Sequence, residues 1–392
     1  MNKLFTATTA PVTDQGLLRE PTRQRYLSLD VLRGMTIALM IVVNTPGSWQ
    51  HIYAPFEHSP WSGFTPTDLV FPTFLFVVGN AMSFSMRKFE NKESAFLRKV
   101  FTRTALIFLV GLFLNAFPFV THTDSGELQL INFADVRIMG VLQRIALCYG
   151  IGSLVVHYFN KNGAIIFSVI ALLAYWAIMY FFGTHPDPYS LEHNASLKFD
   201  SLFIAPKNMY HGYGIPFDPE GLLSTLPAIV NVVGGYLAGL YLQQRGNNSN
   251  TVTRLALAGV ILGIIALVWD IYFPINKPIW TSSYVLYTIG IDLVILAVLI
   301  LVIEVAGSKG WTYFFEVFGR NPLFIYAMSG IVIELMSMIR VNGMGLSGWL
   351  YENAFATWLA PKNASLLFAI CYMLLLWCIG YWMDKKRIYI KV

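Results

Sequence analysis

Ten stretches of mostly apolar residues recur along this chain of 392 residues, each long enough to cross the hydrocarbon core of a bilayer as a helix. They fall at 27–45, 67–86, 100–119, 138–158, 163–183, 222–243, 253–274, 282–305, 320–339 and 365–383. Their length and continuity favour helices over the short alternating strands of a barrel. The prediction is an all-α polytopic membrane helical bundle of about ten transmembrane helices. Composition agrees: 56% of residues are hydrophobic and 12% charged, against about 25% charged in soluble domains. This excludes a soluble enzyme and a disordered chain. The apolar runs span the whole length, which also excludes a single anchor carrying a large soluble head.

Lys and Arg set the expected sidedness. With the N-terminus inside, the inward segments hold 19 of the 27 Lys and Arg and the outward segments six. Arg33 and Arg144 remain within spans. Both termini are therefore expected on the cytoplasmic side. The organisation reads as a cytoplasmic tail (1–26), a transmembrane domain (27–383) and a basic cytoplasmic tail (384–392). No cleavable signal peptide is expected, because residues 1–26 are polar and carry no apolar core segment. Cys148, Cys371 and Cys378 lie in apolar runs and read as buried hydrophobes rather than a disulfide framework. No basic stripe is interleaved with aromatics, so no nucleic-acid partner is expected. Metal-ligand spacings are missing, and so are a Walker A motif, a GxGxxG after a strand and a GxSxG elbow.

The residues that are costly inside a membrane carry the functional signal. Asp30 and Arg33 share one face of the first span, either as an ion pair pinning the helix or as an Arg facing a cavity for an anionic ligand. Asn44 ends that span. Thr65 and Pro66 read as an N-cap and first helical residue, with Asp68 in the first turn. His58 precedes them in a loop, as a solvated side chain or a catalytic one. Arg144 lies about 10 Å inside its apolar run, facing a ligand or partnering Asp270, Asp292 or Glu304. Arg320, before Asn321 and Pro322, reads as a phosphate site at a helix start or as ordinary positive-inside charge. The long segments 45–66 and 184–221, both outside, are candidates for binding or only cap the bundle.

These segments resemble the heparan-α-glucosaminide N-acetyltransferase family of transmembrane acyltransferases. The resemblance runs through Ser28-Leu29-Asp30-Val31-Leu32-Arg33-Gly34, Asn44, His58-Ser59-Pro60-Trp61-Ser62-Gly63 and Asp68-Leu69-Val70-Phe71-Pro72. It continues at Arg137-Ile138-Met139-Gly140-Val141-Leu142-Gln143-Arg144, Asp218-Pro219-Glu220-Gly221, Asn276-Lys277-Pro278-Ile279-Trp280 and Gly319-Arg320-Asn321-Pro322. The motifs keep the family order from residue 27 onward.

The resemblance implies transfer of an acetyl group from cytoplasmic acetyl-CoA to the amine of glucosamine or a terminal glucosaminide on the periplasmic side. His58 takes the position of the family's catalytic histidine, and Asn44 that of a companion polar residue; Asp68 would orient His58 or meet the sugar ammonium. His51 competes for the histidine's role because the loop after Asn44 is longer than in the lysosomal member. Arg33, Arg144, Arg320 and Asn321 are the expected donor-binding residues. Glu57, Trp61, Asp218, Lys277 and Trp280 are the expected acceptor-binding residues. The chain starts without that member's lumenal extension and extra span, which implies a bacterial inner-membrane homologue and a free or short-chain amino sugar as acceptor. No metal is implied, and family members suggest a homodimer. His58 would act as general base or as an acetylated relay. The alternatives are an O-acyltransferase acting on an envelope glycan, or a secondary transporter using Asp30, Asp68, Asp270, Asp292 and Glu334.

Overall fold

A computed structural model describes residues 26–89, 92–123 and 127–390, the side chains of Arg87 and Lys88 excepted. The expected cytoplasmic tail, 1–26, lies outside the described residues except for Tyr26. The chain forms a helical bundle: α1 (Leu27–Asn44), α2 (Pro66–Ser85), α3 (Glu93–Ala116), α4 (Val141–Tyr158), α5 (Lys161–Phe182), the short α6 (Ala195–Asp200), α7 (Thr225–Arg245), α8 (Ser249–Asp270), α9 (Ser282–Leu299), α10 (Thr312–Arg320), α11 (Pro322–Met338), the short α12 (Leu346–Leu350) and α13 (Pro361–Lys385). Two small antiparallel hairpins, Val120–His122 with Leu128–Leu130 and Arg340–Val341 with Met344–Gly345, lie in the connections.

Among the described residues, eight helices are long and apolar enough to cross a membrane, or nine if α10 and α11 form one span. The predicted count of ten differs for two physical reasons. The third run is the 24-residue helix α3, but Glu93, Arg98, Lys99 and Arg103 occupy its first half. The ninth run is half of a broken helix: α10 and α11 meet at 83° around Asn321, where Pro322 cannot continue a preceding helix. The chain is a multi-pass membrane protein.

α2 is 78% buried over its most apolar window, whereas α5 and α8 are 22% buried. Apolar side chains left mostly exposed, such as Ile166 and Ile170 of α5 and Ile264 and Val268 of α8, form a surface suited to lipid. The interior packs through close backbone contact. A Cβ on Gly79 would stand 1.8 Å from the Val232 carbonyl oxygen of α7, and one on Gly235 of α7 would stand 1.8 Å from that of Phe76 in α2. Small residues at such crossings let helices approach where lipid supplies no hydrophobic drive. Gly79→Leu is expected to force α2 and α7 apart and cost about 3 kcal/mol or more. A fall in melting temperature in detergent would register this; an unchanged melting curve would show that the crossing tolerates separation.

Candidate active site

His58 is placed by the start of α2. Thr65 and Asp68 form a capping box: the Asp68 N–H donates to the Thr65 carbonyl at 2.9 Å, and the Thr65 N–H donates to Asp68 Oδ2 at 3.0 Å. The Ser59 N–H donates to the same Oδ2 at 3.1 Å. One carboxylate oxygen is thus committed to the helix start and the loop. The other, Oδ1, lies 2.7 Å from His58 Nδ1. Asp68 is buried, while the His58 side chain is 48% exposed. A hydrogen on Nδ1, donated to Oδ1, leaves the lone pair on Nε2. His51 lies elsewhere, beside Tyr53 and Lys362 at the start of α13.

Lys277 completes the cluster. The turn that carries it is pinned at several points: Ile275 N–H to Asp270 Oδ1 at 2.5 Å, Gly63 N–H to the Ile275 carbonyl at 2.8 Å, and Ile279 N–H to Asn276 Oδ1 at 3.0 Å. Trp280 holds a φ of 50° in the same turn. Lys277 Nζ stands 3.0 Å from His58 Nδ1, 3.4 Å from Nε2 and 3.5 Å from Asp68 Oδ1. Burial pushes its ammonium below the ordinary lysine value, against the pull of Asp68 and Glu220.

The other expected acceptor residues each have protein partners. Asp218 is buried and takes a two-point bond from Arg137, 3.1 Å from Nε and 2.7 Å from Nη2, while Glu220 Oε2 lies 2.5 Å from the same Nη2. Burial opposes the Arg137 charge, but Glu220 and Asp218 outweigh it and hold the guanidinium above its ordinary value. Trp280 is buried, donating from Nε1 to Asn231 and packing on Phe71 and Tyr284. Trp61 packs on Tyr213 and Phe217 and donates to the Tyr189 carbonyl at 3.0 Å, so it locks the long outer segment. Glu57 is exposed and lends its carbonyl to the Thr65 hydroxyl at 2.7 Å. Asn44 is exposed at the end of α1, and among the described residues its side chain makes no hydrogen bond to the His58 cluster. Burial pushes the carboxyl of Asp200, which accepts the Leu223 N–H at 3.0 Å, up to about 6.

At the opposite end of the bundle lies a cavity of about 320 Å³ whose wall includes Arg33, Lys99, Arg103 and Arg320. Arg33 bonds Asp30 at 3.3 Å and the Gly319 carbonyl at 3.2 Å. Arg320 is neutralised by Asp384 and by Glu316 at 3.1 Å. Arg103 stacks over Tyr149 at 4.7 Å, and among the described residues its buried Nε has no hydrogen-bond partner. Lys99 and Arg103 are not among the expected site residues; counted as inward topology charges, they gave no local signal. Asn321 bonds the chain beyond α13. Its amide accepts the Ile390 N–H at 2.8 Å and donates to the Ile388 carbonyl at 3.0 Å, fixing the segment whose Ile390 lines the cavity.

Arg144 does not line this cavity. It is fully buried on another face of α4, bonding Ser224 and the Gly221 carbonyl and stacking over Trp280 at 4.8 Å. Asp270, Asp292 and Glu304, its expected alternatives, bond instead to Ile275, Thr73 and Ser28. Its α4 neighbours Ile145 and Tyr149 face the cavity.

Residues 25–206 match the family model described as heparan-alpha-glucosaminide N-acetyltransferase, catalytic. The chain is 27% identical over 362 residues to the Mus musculus heparan-alpha-glucosaminide N-acetyltransferase, covering 79% of this chain and 54% of the relative. The Homo sapiens protein of that name is 25% identical over 359 residues, covering 77% and 52%. The chain spans about half the length of the curated relatives it matches. The family resemblance read from the ordered motifs is thus supported by whole-sequence comparison, and the matched region contains Arg33, Asn44, His58 and Asp68.

Proposed function

We propose that this chain, similar to the heparan-α-glucosaminide N-acetyltransferases over most of its length, is a membrane-embedded acetyltransferase. It moves an acetyl group from acetyl-CoA in the Arg-lined cavity to the amine of glucosamine or a terminal glucosaminide at His58. With the start of α1 in the cytoplasm, as the Lys and Arg excess predicts, His58 opens to the periplasm of an inner membrane. The observation that carries this reading is the His58–Asp68 pair, held at 2.7 Å inside the family-matched segment.

The two ends of the path are close enough for one extended donor. The cavity reaches Phe74, six residues past Asp68 and so about 9 Å further along α2. Arg33, Lys99 and Arg103 supply positive charge for phosphate groups at its mouth. At the other end the acceptor arrives as an ammonium, and only its free base attacks a thioester. His58 Nε2 takes the proton, while Asp68 fixes the ring and stabilises the imidazolium that forms. That first proton leaves to solvent; the second, freed from the nitrogen as the C–N bond forms and the C–S bond breaks, passes through Nε2 to the departing thiolate, which leaves His58 neutral.

The test uses purified protein in nanodiscs with acetyl-CoA and glucosamine, reading products by mass. N-acetylglucosamine is the expected product; no transfer to any amino sugar would overturn the reading, and an ester product would favour the O-acyl alternative. In the same assay, Lys99→Ala with Arg103→Ala is expected to raise the apparent KM for acetyl-CoA about tenfold or more, since each charged hydrogen bond contributes about 1.5–3 kcal/mol. An unchanged KM would remove the cavity from the donor path.

A further inference from the structure

Lys277 presents a primary amine within 3.0–3.5 Å of both ring nitrogens of His58 and of Asp68 Oδ1. An amine this close needs only a small side-chain shift to come within proton-transfer reach of Nε2. We propose that Lys277 is an internal acyl acceptor, so that in the absence of sugar the enzyme acetylates its own Lys277 Nζ and blocks its acceptor site. This rests on reading His58 as the base and acetyl-CoA, an acyl thioester, as donor.

The step balances without another reactant. The free amine of Lys277 attacks the thioester carbonyl, forming the N–C bond. The C–S bond breaks and its electron pair leaves on the thiolate. The excess proton on nitrogen passes through His58 Nε2 to that thiolate, giving an acetamide and a thiol. Asp68 from α2, His58 from the first outer loop and Glu220 from the segment before α7 are the charged or titratable groups acting on Lys277. Burial favours its free base and outweighs the two carboxylates, which favour its ammonium, so the amine loses its proton more readily than an ordinary lysine. Acetylation removes the Lys277 charge beside Asp68 and places an acetamide against His58. Acceptor supply thereby becomes the condition for staying active.

The experiment incubates purified protein with acetyl-CoA alone and maps acetylated peptides by mass over time. Lys207, whose side chain is 55% exposed, reports uncatalysed acetylation. Lys277 is expected to acquire acetyl about tenfold faster than Lys207. His58→Ala is expected to slow labelling of Lys277 by about 10²-fold and leave Lys207 unaffected. Saturating glucosamine should protect Lys277, and preincubation with acetyl-CoA should progressively silence later sugar transfer. Sugar acetylation with Lys277 unlabelled, or labelled no faster than Lys207, overturns the proposal and leaves the acetyltransferase reading standing. Labelling that ignores both His58 and glucosamine also overturns it. No transfer to sugar and none to Lys277 overturns both. His58→Ala tests the chemistry without touching the core, because that side chain is half exposed.

Discussion

His58→Ala is expected to lower turnover about 10²–10⁴-fold, the range a positioned general base contributes, with the affinity for acetyl-CoA unchanged. The split follows from distance. His58 sits before the first turn of α2, whereas the cationic wall of the cavity comes from the starts of α1 and α3 and from the break at Asn321. A variant that binds acetyl-CoA normally and transfers nothing supports the assignment; full transfer would sink it. Asp68→Asn is a harsher change than its size suggests. The amide can still accept from the Ser59 and Thr65 N–H groups, but it no longer presents the negative charge that matches an imidazolium.

The second large effect concerns folding. Asp218→Ala is expected to cost about 3 kcal/mol, because removing one partner of a buried ion pair leaves the other charge without its main compensation. Glu220 still pairs with Arg137 and keeps the loss toward the low end. The measurement is thermal unfolding in detergent, scored beside Asp218→Asn, which retains an acceptor for the Arg137 fork and should lose less. Equal melting of the Ala variant and the wild type would show that this network does not hold the outer segment in place.

What was legible in the sequence was what is encoded locally. The cap at Thr65 and Asp68 needs only four residues, and it stands as read. The helical runs were legible because lipid demands long apolar segments and tolerates few exceptions. The break at Asn321 was half legible: Pro322 marks the start of α11, but the short α10 before it carries Glu316 and Arg320 and does not read as part of a span.

The fates of the charged residues were not legible. Arg144 and Tyr149 both lie on α4, five residues apart, yet one is sealed beneath the segment at 221–224 and the other lines the cavity. Which side of α4 meets which neighbour is settled by packing with α3 and α7, not by period. Lys277 meets His58 across 219 positions of sequence, so no local pattern announces the contact. Asp218 and Trp280, expected to meet the acceptor, are buried and bonded to Arg137 and Asn231, contacts their motifs do not announce.

The divided loyalty of Asp68 has a consequence for how this molecule fails. Its two oxygens serve the first turn of α2 and the imidazole, so chemistry and local folding share one carboxylate. A molecule whose α2 start has frayed loses its oriented histidine at the same moment. Heat, detergent or a thinning bilayer that loosens this turn would therefore switch molecules off one at a time, leaving the survivors at full rate. Partial damage would register as a smaller active fraction, with the turnover of each active molecule unchanged.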